Sequence, residues 1–252
     1  MQPPLDRNTI ARISSSIIAS AVKALAENGK TDQALMLIAD QKYLTEAATA
    51  DMQAAVGLAY VKRGDAKLAQ GIFDQAAKNL EAARRYGVGP APDTQLRFAA
   101  IRILALRGQL DAVNAAIQQE RSTPGAVVSD ARTEYERSQG YQRLVGALLD
   151  VKQPGAALNL AKSLTPDATK EAALAAVAVW NASNDRLADA RAVYASMNHT
   201  QETPARVAVV RNLAISSAKA GDVASALRFA GELKNPSNRR AVLFAIAHML
   251  PQ

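Results

Sequence analysis

A small apolar residue returns along this chain at intervals close to the length of a helical hairpin. Ala34, Ala69, Val113, Ala157, Ala190 and Ala226 lie 33 to 36 residues apart in three intervals and 44 apart in the two middle ones. Turn signals stand just ahead of them: Gly29, Gly64-Asp65, Gly108, Pro154-Gly155, Asn184-Asp185 and Gly221-Asp222. Repetition on this scale marks units too small to bury an apolar face alone. Such units must stack on their neighbours.

The remaining composition agrees with helices. Hydrophobic residues make up 49% of the chain and aromatics only 4%, so alanine and leucine have to build the core. Alanine is the strongest helix former. Val, Ile and Thr form no alternating runs bounded by turn signals, and no strand is expected. The predicted class is all-α.

The clearest unit is Ala50 to Leu80. Within it Gly57, Tyr60, Gly64, Ala69, Phe73 and Ala76 follow one another at offsets of 3, 4, 5, 4 and 3. Positions three and four apart share a helix face. Gly57 and Ala69 lack bulk and let two helices approach, while Tyr60 and Phe73 fill the space beside them. Gly64 can end the first helix with positive φ, and Asp65 can cap the second.

This stretch resembles the tetratricopeptide repeat, whose pattern sets Gly, an aromatic, Gly, Ala, an aromatic and Ala at those intervals. The proline that often closes the family's repeat would fall near Glu81 and is absent. The 44-residue intervals are nearer to HEAT-like repeats. The resemblance implies a right-handed α-solenoid of about six antiparallel helix pairs plus a terminal helix. It forms one domain over 1–252, with a break near 86–93, where Gly87-Val88-Gly89-Pro90-Ala91-Pro92 interrupts the pattern.

In chain order, the expected helices begin with Thr9–Asn28 and Gln33–Gln41. Further ones run from a Thr45 cap to Arg63, from Asp65 to near Arg85, and from an Asp93 cap to Gly108. Asp111 starts the next, which ends near Ser122. The segment Ala126–Lys152 reads as one helix or as two split at Gly140. Pro154–Leu164, a helix opened by Thr165-Pro166-Asp167, Arg186–Met197, a helix opened by Pro204, its partner after Asp222, and Asn238–Leu250 complete the set.

The chemistry-bearing motifs are missing. There is no Gly-x-Ser-x-Gly elbow, His-Glu-x-x-His, Walker loop or calcium loop, no cysteine, and only His199 and His248. Glu134 with Glu136, and Asp185 with Asp189, read as solvated helix faces. No cofactor and no metal site are expected. No apolar run approaches the ~20 residues of a membrane span, and the segment around Ile17 and Ile18 reads as an amphipathic helix. The formal net charge is +7, which suits an acidic partner. It is dispersed, so nucleic acid is the weakest of the candidates.

In the tetratricopeptide family the first helix of each pair lines a groove. Carried across, that places Ala54, Leu58 and Lys62 in it, then Phe98 and Arg102, Arg143, Val179, and Arg211 with Ile215. The implied function is a non-enzymatic scaffold or adaptor binding an acidic or C-terminal-carboxylate peptide or a protein in its groove. The expected setting is a bacterial envelope assembly, in the periplasm rather than the cytoplasm. The alternative is a helical accessory domain of a cell-wall or exopolysaccharide machine that binds anionic glycan. Trp180, Tyr135 and Tyr141 are stacking candidates, with packing as the competing role for Trp180. The last helix carries Val242, Leu243, Phe244, Ile246 and Met249 around most of its girth, which implies that the chain continues or that this end meets a partner, self-association included, unless Arg239, Arg240 and His248 keep one side wet.

Overall fold

A computed structural model describes residues 7–41, 44, 46–86, 94–122, 131–165 and 167–249. Among these there are thirteen helices and no strand. They are α1 (Arg7–Glu27), α2 (Thr31–Ala39), α3 (Glu46–Arg63), α4 (Ala66–Tyr86), α5 (Thr94–Leu106), α6 (Leu110–Ser122), α7 (Ala131–Asp150), α8 (Pro154–Lys162), α9 (Asp167–Ser183), α10 (Leu187–Ala195), α11 (Pro204–Lys219), α12 (Val223–Gly231) and α13 (Pro236–Ala247). The all-α class is what the composition predicts. The break expected near 86–93 lies, except for Tyr86, outside the described residues.

One turn is built six times. Gly29, Gly64, Gly108, Lys152, Asp185 and Gly221 have φ between 58° and 83°. Each stands five residues ahead of Ala34, Ala69, Val113, Ala157, Ala190 or Ala226, all at most 2% exposed. The amide after each positive-φ residue reaches back five positions to a helix carbonyl, from Lys30 to Leu25, Asp65 to Tyr60, Gln109 to Leu104, Gln153 to Leu148, Arg186 to Asn181 and Asp222 to Ser217, at 2.8 to 3.0 Å. This is the Schellman closure of a helix. The carbonyl of that same residue accepts the amide of the recurrent alanine or valine at 3.0 to 3.1 Å. One residue therefore ends a helix and begins the next. The short residue four positions on lets the second helix fold back closely on the first.

Four of the six turn residues are glycine, which enters the left-handed region without steric cost. Lys152 and Asp185 do so with side chains, which is why a reading based on glycine spacing sees these two turns less clearly. Asp222 caps its helix through its side chain, accepting the Ser225 amide at 3.0 Å, whereas Lys30, Gln153 and Arg186 at the corresponding places make no side-chain cap bond.

The chain divides into two compact units, Met1–Gly140 and Tyr141–Gln252. In the first, α1 packs on α2, α3 on α4 and α5 on α6, and α3 also meets α1, α2 and α5. In the second, α9 packs on α10 and α11 on α12; α8 lies on α9, α11 on α9 and α10, and α13 on α11 and α12. The cores are aliphatic and small, with Val56, Phe73 and Val113 among the fully buried side chains of the first unit and Leu174, Val177, Leu213 and Leu233 among those of the second.

Two glycines are required by packing. A Cβ on Gly57 would lie 2.5 Å from Cε1 of Phe73, and one on Gly140 would lie 2.3 Å from Cγ of Phe98. Helix α7 runs unbroken through Gly140. The glycine that could have split it is there to admit a ring. The last helix begins at Pro236 and ends at Ala247, earlier at both ends than Asn238–Leu250. Its start is set by Asn235, whose side chain accepts the Ser237 and Asn238 amides while Pro236 occupies the first turn.

The repeated turn predicts opposite responses at its two kinds of residue. Gly64→Ala should cost about 1 kcal/mol because a Cβ must enter the left-handed region, whereas Lys152→Gly should lose that penalty and gain up to about 1 kcal/mol. Urea midpoints followed by far-ultraviolet circular dichroism distinguish the two signs.

Candidate functional site

In the first unit the implied groove residues sit on α3 and α5, which pack together. Leu58 is half-buried and Lys62 is exposed. Arg102 lies against the start of α3, with Nη1 2.6 Å from Oδ1 of Asp51. Ala54 and Phe98 are 0% and 5% exposed, and the Phe98 ring occupies the gap at Gly140. These two belong to the core. The surface that this unit offers is therefore Leu58 and Lys62, beside an arginine already engaged by a carboxylate.

In the second unit Arg143 is exposed on α7, Val179 is half-buried on α9, and α11 carries exposed Arg211 and half-buried Ile215. Helices α9 and α11 pack together, and Ser216 Oγ donates to the carbonyl of Ala182 at 2.9 Å. Val179 and Ile215 each precede a positive-φ residue, Asp185 and Gly221, by six positions, so they hold the same register on adjacent first helices. Arg211 is one turn ahead of Ile215. Neither Arg143 nor Arg211 forms an ion pair with a described residue. Trp180, next to Val179, is half-buried; Tyr135 is exposed and Tyr141 is buried.

The polar groups between helices were not foreseen from the sequence. Glu120 is 3% exposed and lies between two guanidinium groups, with Arg97 Nε at 2.7 Å and Arg137 Nε at 3.4 Å. The short Arg97 Nε contact is ionic, since the N–H does not point at Oε2, and Arg97 Nη2 donates to Oε1 at 3.2 Å. Glu120 comes seven residues after Val113, and the same place holds buried Ala76, Leu164, Met197 and Leu233 in four of the other five repeats and half-buried Gln41 in the first. An acid in an apolar register is the signal that marks this network.

A second network ties α10, α11 and the end of α12. Arg206 is 6% exposed; its Nε donates to the Tyr194 hydroxyl at 3.2 Å and its Nη1 to the carbonyl of His199 at 2.8 Å. Tyr194 in turn donates to Oε2 of Glu232 at 2.7 Å. Burial, followed by the neighbouring Glu232 carboxylate, pushes the Tyr194 hydroxyl up to about 12. The His199 ring meets Tyr194 edge-on at 4.6 Å. Glu202 takes the Asn238 side-chain amide at 2.6 Å and the Asn235 and Lys234 backbone amides at 3.0 and 2.6 Å. Those bonds, with Asn238 the largest, hold it below the usual glutamate range. These groups fix one helix pair on the next.

No group of three or more His, Cys, Asp or Glu side chains arranged to hold a metal occurs among the described residues. None of the helices described is long and apolar enough to cross a membrane. Compared with models of protein families and with curated proteins, the chain matches none.

Asp222 supplies a pH-dependent clamp on the sixth turn. Its hydrogen bonds to Ser225, with Arg191 adding Nη2 at 3.1 Å from Oδ2, bring it down to about 2. A lowered carboxylate contributes fully above its ordinary value near 3.8 and loses that contribution as pH falls towards about 2. Between pH 4 and pH 2 the thermal midpoint of the unaltered chain should fall more than that of Asp222→Asn. Melting curves at matched ionic strength measure the difference.

Proposed function

We propose that this protein is a non-enzymatic, tetratricopeptide-like scaffold. Within each unit the helix pairs form a length of right-handed α-solenoid, and the first-helix face of the second unit receives a peptide or protein segment carrying acidic residues. The observation that carries this reading is the placement of Val179 and Ile215. They are half-buried apolar side chains in one register on two packed helices, with the unpaired guanidinium of Arg211 one turn away. Half-buried aliphatic groups give an extended segment apolar area to cover, and a free arginine offers a planar fork to a carboxylate.

The repeated turn supports the scaffold reading. A chain that builds the same hairpin six times presents equivalent surface positions at regular intervals, which suits an elongated ligand. The net charge of +7 favours an acidic one. Trp180 favours a second reading, an anionic glycan, because a half-exposed indole beside Val179 offers a stacking face to a sugar ring.

Fluorescence anisotropy with a labelled acidic peptide tests the first reading. Arg211→Glu should weaken binding about tenfold, and Val179→Asp by a similar factor. Equal affinity across the unaltered protein and both variants would reject the α9–α11 face. Retention on immobilised polyuronate that is lost in Trp180→Ala, without peptide binding, would select the glycan.

A further inference from the structure

The last helix leaves uncovered a column of positions that its counterpart buries. Helices α11 and α13 both start with proline behind a capping side chain, Thr203 and Asn235. Aligned from those caps, Val210 and Ala214 correspond to Val242 and Ile246, all at most 2% exposed. That column faces the preceding helices in each case. A second column on α11, Val209, Leu213 and Ser217, is 0% exposed, but its counterparts are exposed Ala241 and half-buried Ala245 on α13 and, in the turn just past the end of that helix, Met249 at 41%. Helix α11 has α9, α10, α12 and α13 around it, while α13 packs on α11 and α12 among the described helices. Leu243 at 39% and Phe244 at 67% widen the bare surface, and the Phe244 ring meets only His248 edge-on, at 4.5 Å, among the described aromatic rings.

The charge beside this surface selects its occupant. Pro236–Ala247 contains Arg239 and Arg240 and no acid. The Arg239 guanidinium is held by the carbonyls of Leu233 and Gly231. Arg240, one turn ahead of Phe244, is exposed and has no partner among the described residues. A second copy would bring the same two arginines to the same apolar strip, and like charges across an interface oppose association. We propose that α13 docks an amphipathic helix of another protein whose apolar stripe covers Ala241, Phe244 and Met249 and whose edge is acidic. Helix-in-groove recognition of this kind reads anchors at helical spacing, and the acid meets Arg240. This surface is separate from the α9–α11 face, so either can stand without the other.

The probe is a synthetic helical peptide of about 15 residues, with a leucine and alanine stripe and glutamates along both edges, compared with one carrying lysines instead. The glutamate peptide should bind saturably in anisotropy titrations, and Phe244→Ser should weaken it about tenfold without altering the melting curve. Arg240→Glu should reverse the preference towards the lysine peptide, while Arg211→Glu should leave binding unchanged. Absence of saturable binding, equal binding of both peptides, or a concentration-dependent dimer in sedimentation that Phe244→Ser abolishes would each overturn the proposal.

Discussion

Everything in this molecule depends on reversing a helix within a single left-handed residue. At Gly64 the chain closes α3 through the bond from the Asp65 amide to the Tyr60 carbonyl, and Asp65 at once accepts the amide of Ala69 to start α4. With so little chain between them, the two axes have to lie close together, and the first inward side chain of the second helix must be short. Alanine at five of the six sites and valine at one meet that demand. The recurrent small residue is thus a consequence of the turn.

Polar contacts between pairs supply what aliphatic packing of this kind lacks, a defined direction. Alanine-rich surfaces slide past one another at little cost, whereas hydrogen bonds and ion pairs have one geometry. Tyr60 donates to Asp32 at 3.3 Å and Arg107 lies 2.8 Å from Asp74, each joining one pair to its neighbour, and Asn79 donates to Gln53 at 2.8 Å within the α3–α4 pair. Arg206 goes further by binding the Tyr194 hydroxyl and the His199 carbonyl together. Buried charge of this sort adds little net stability, but removing one partner of such a set leaves the other stranded.

The turn and its small residue were legible in the sequence because both depend on local backbone geometry, which residue type reports directly. Even so, the left-handed residue at Lys152 was hidden, since a left-handed lysine looks like any other polar residue, whereas Asn184-Asp185 stood out as a turn. Gly140 was ambiguous because a helix breaker and a packing gap are the same letter; only the position of Phe98 decides between them. The all-α class followed from composition, while the stacking of the pairs rests on contacts that no short window contains. At the candidate site, the positions that the family resemblance implied include Val179 and Ile215, which are half-buried, and Arg211, which is exposed. The resemblance could not predict that Phe98 and Ala54 turn inward, since one residue of rotation along a helix separates core from solvent. Glu120 and Arg206 escaped because charged residues are read as exposed unless their register is compared across the repeats.

The rings lodged at Gly57 and Gly140 have a bearing on how this chain can drift over evolutionary time. Each phenylalanine fills a notch that exists only because its opposite residue has no side chain, so neither member of a pair can change alone without an overlap or a hole. Descendants of this sequence should therefore alter positions 57 with 73, and 140 with 98, in concert. Within each pair the two columns would then rise and fall together, recording which helices touch.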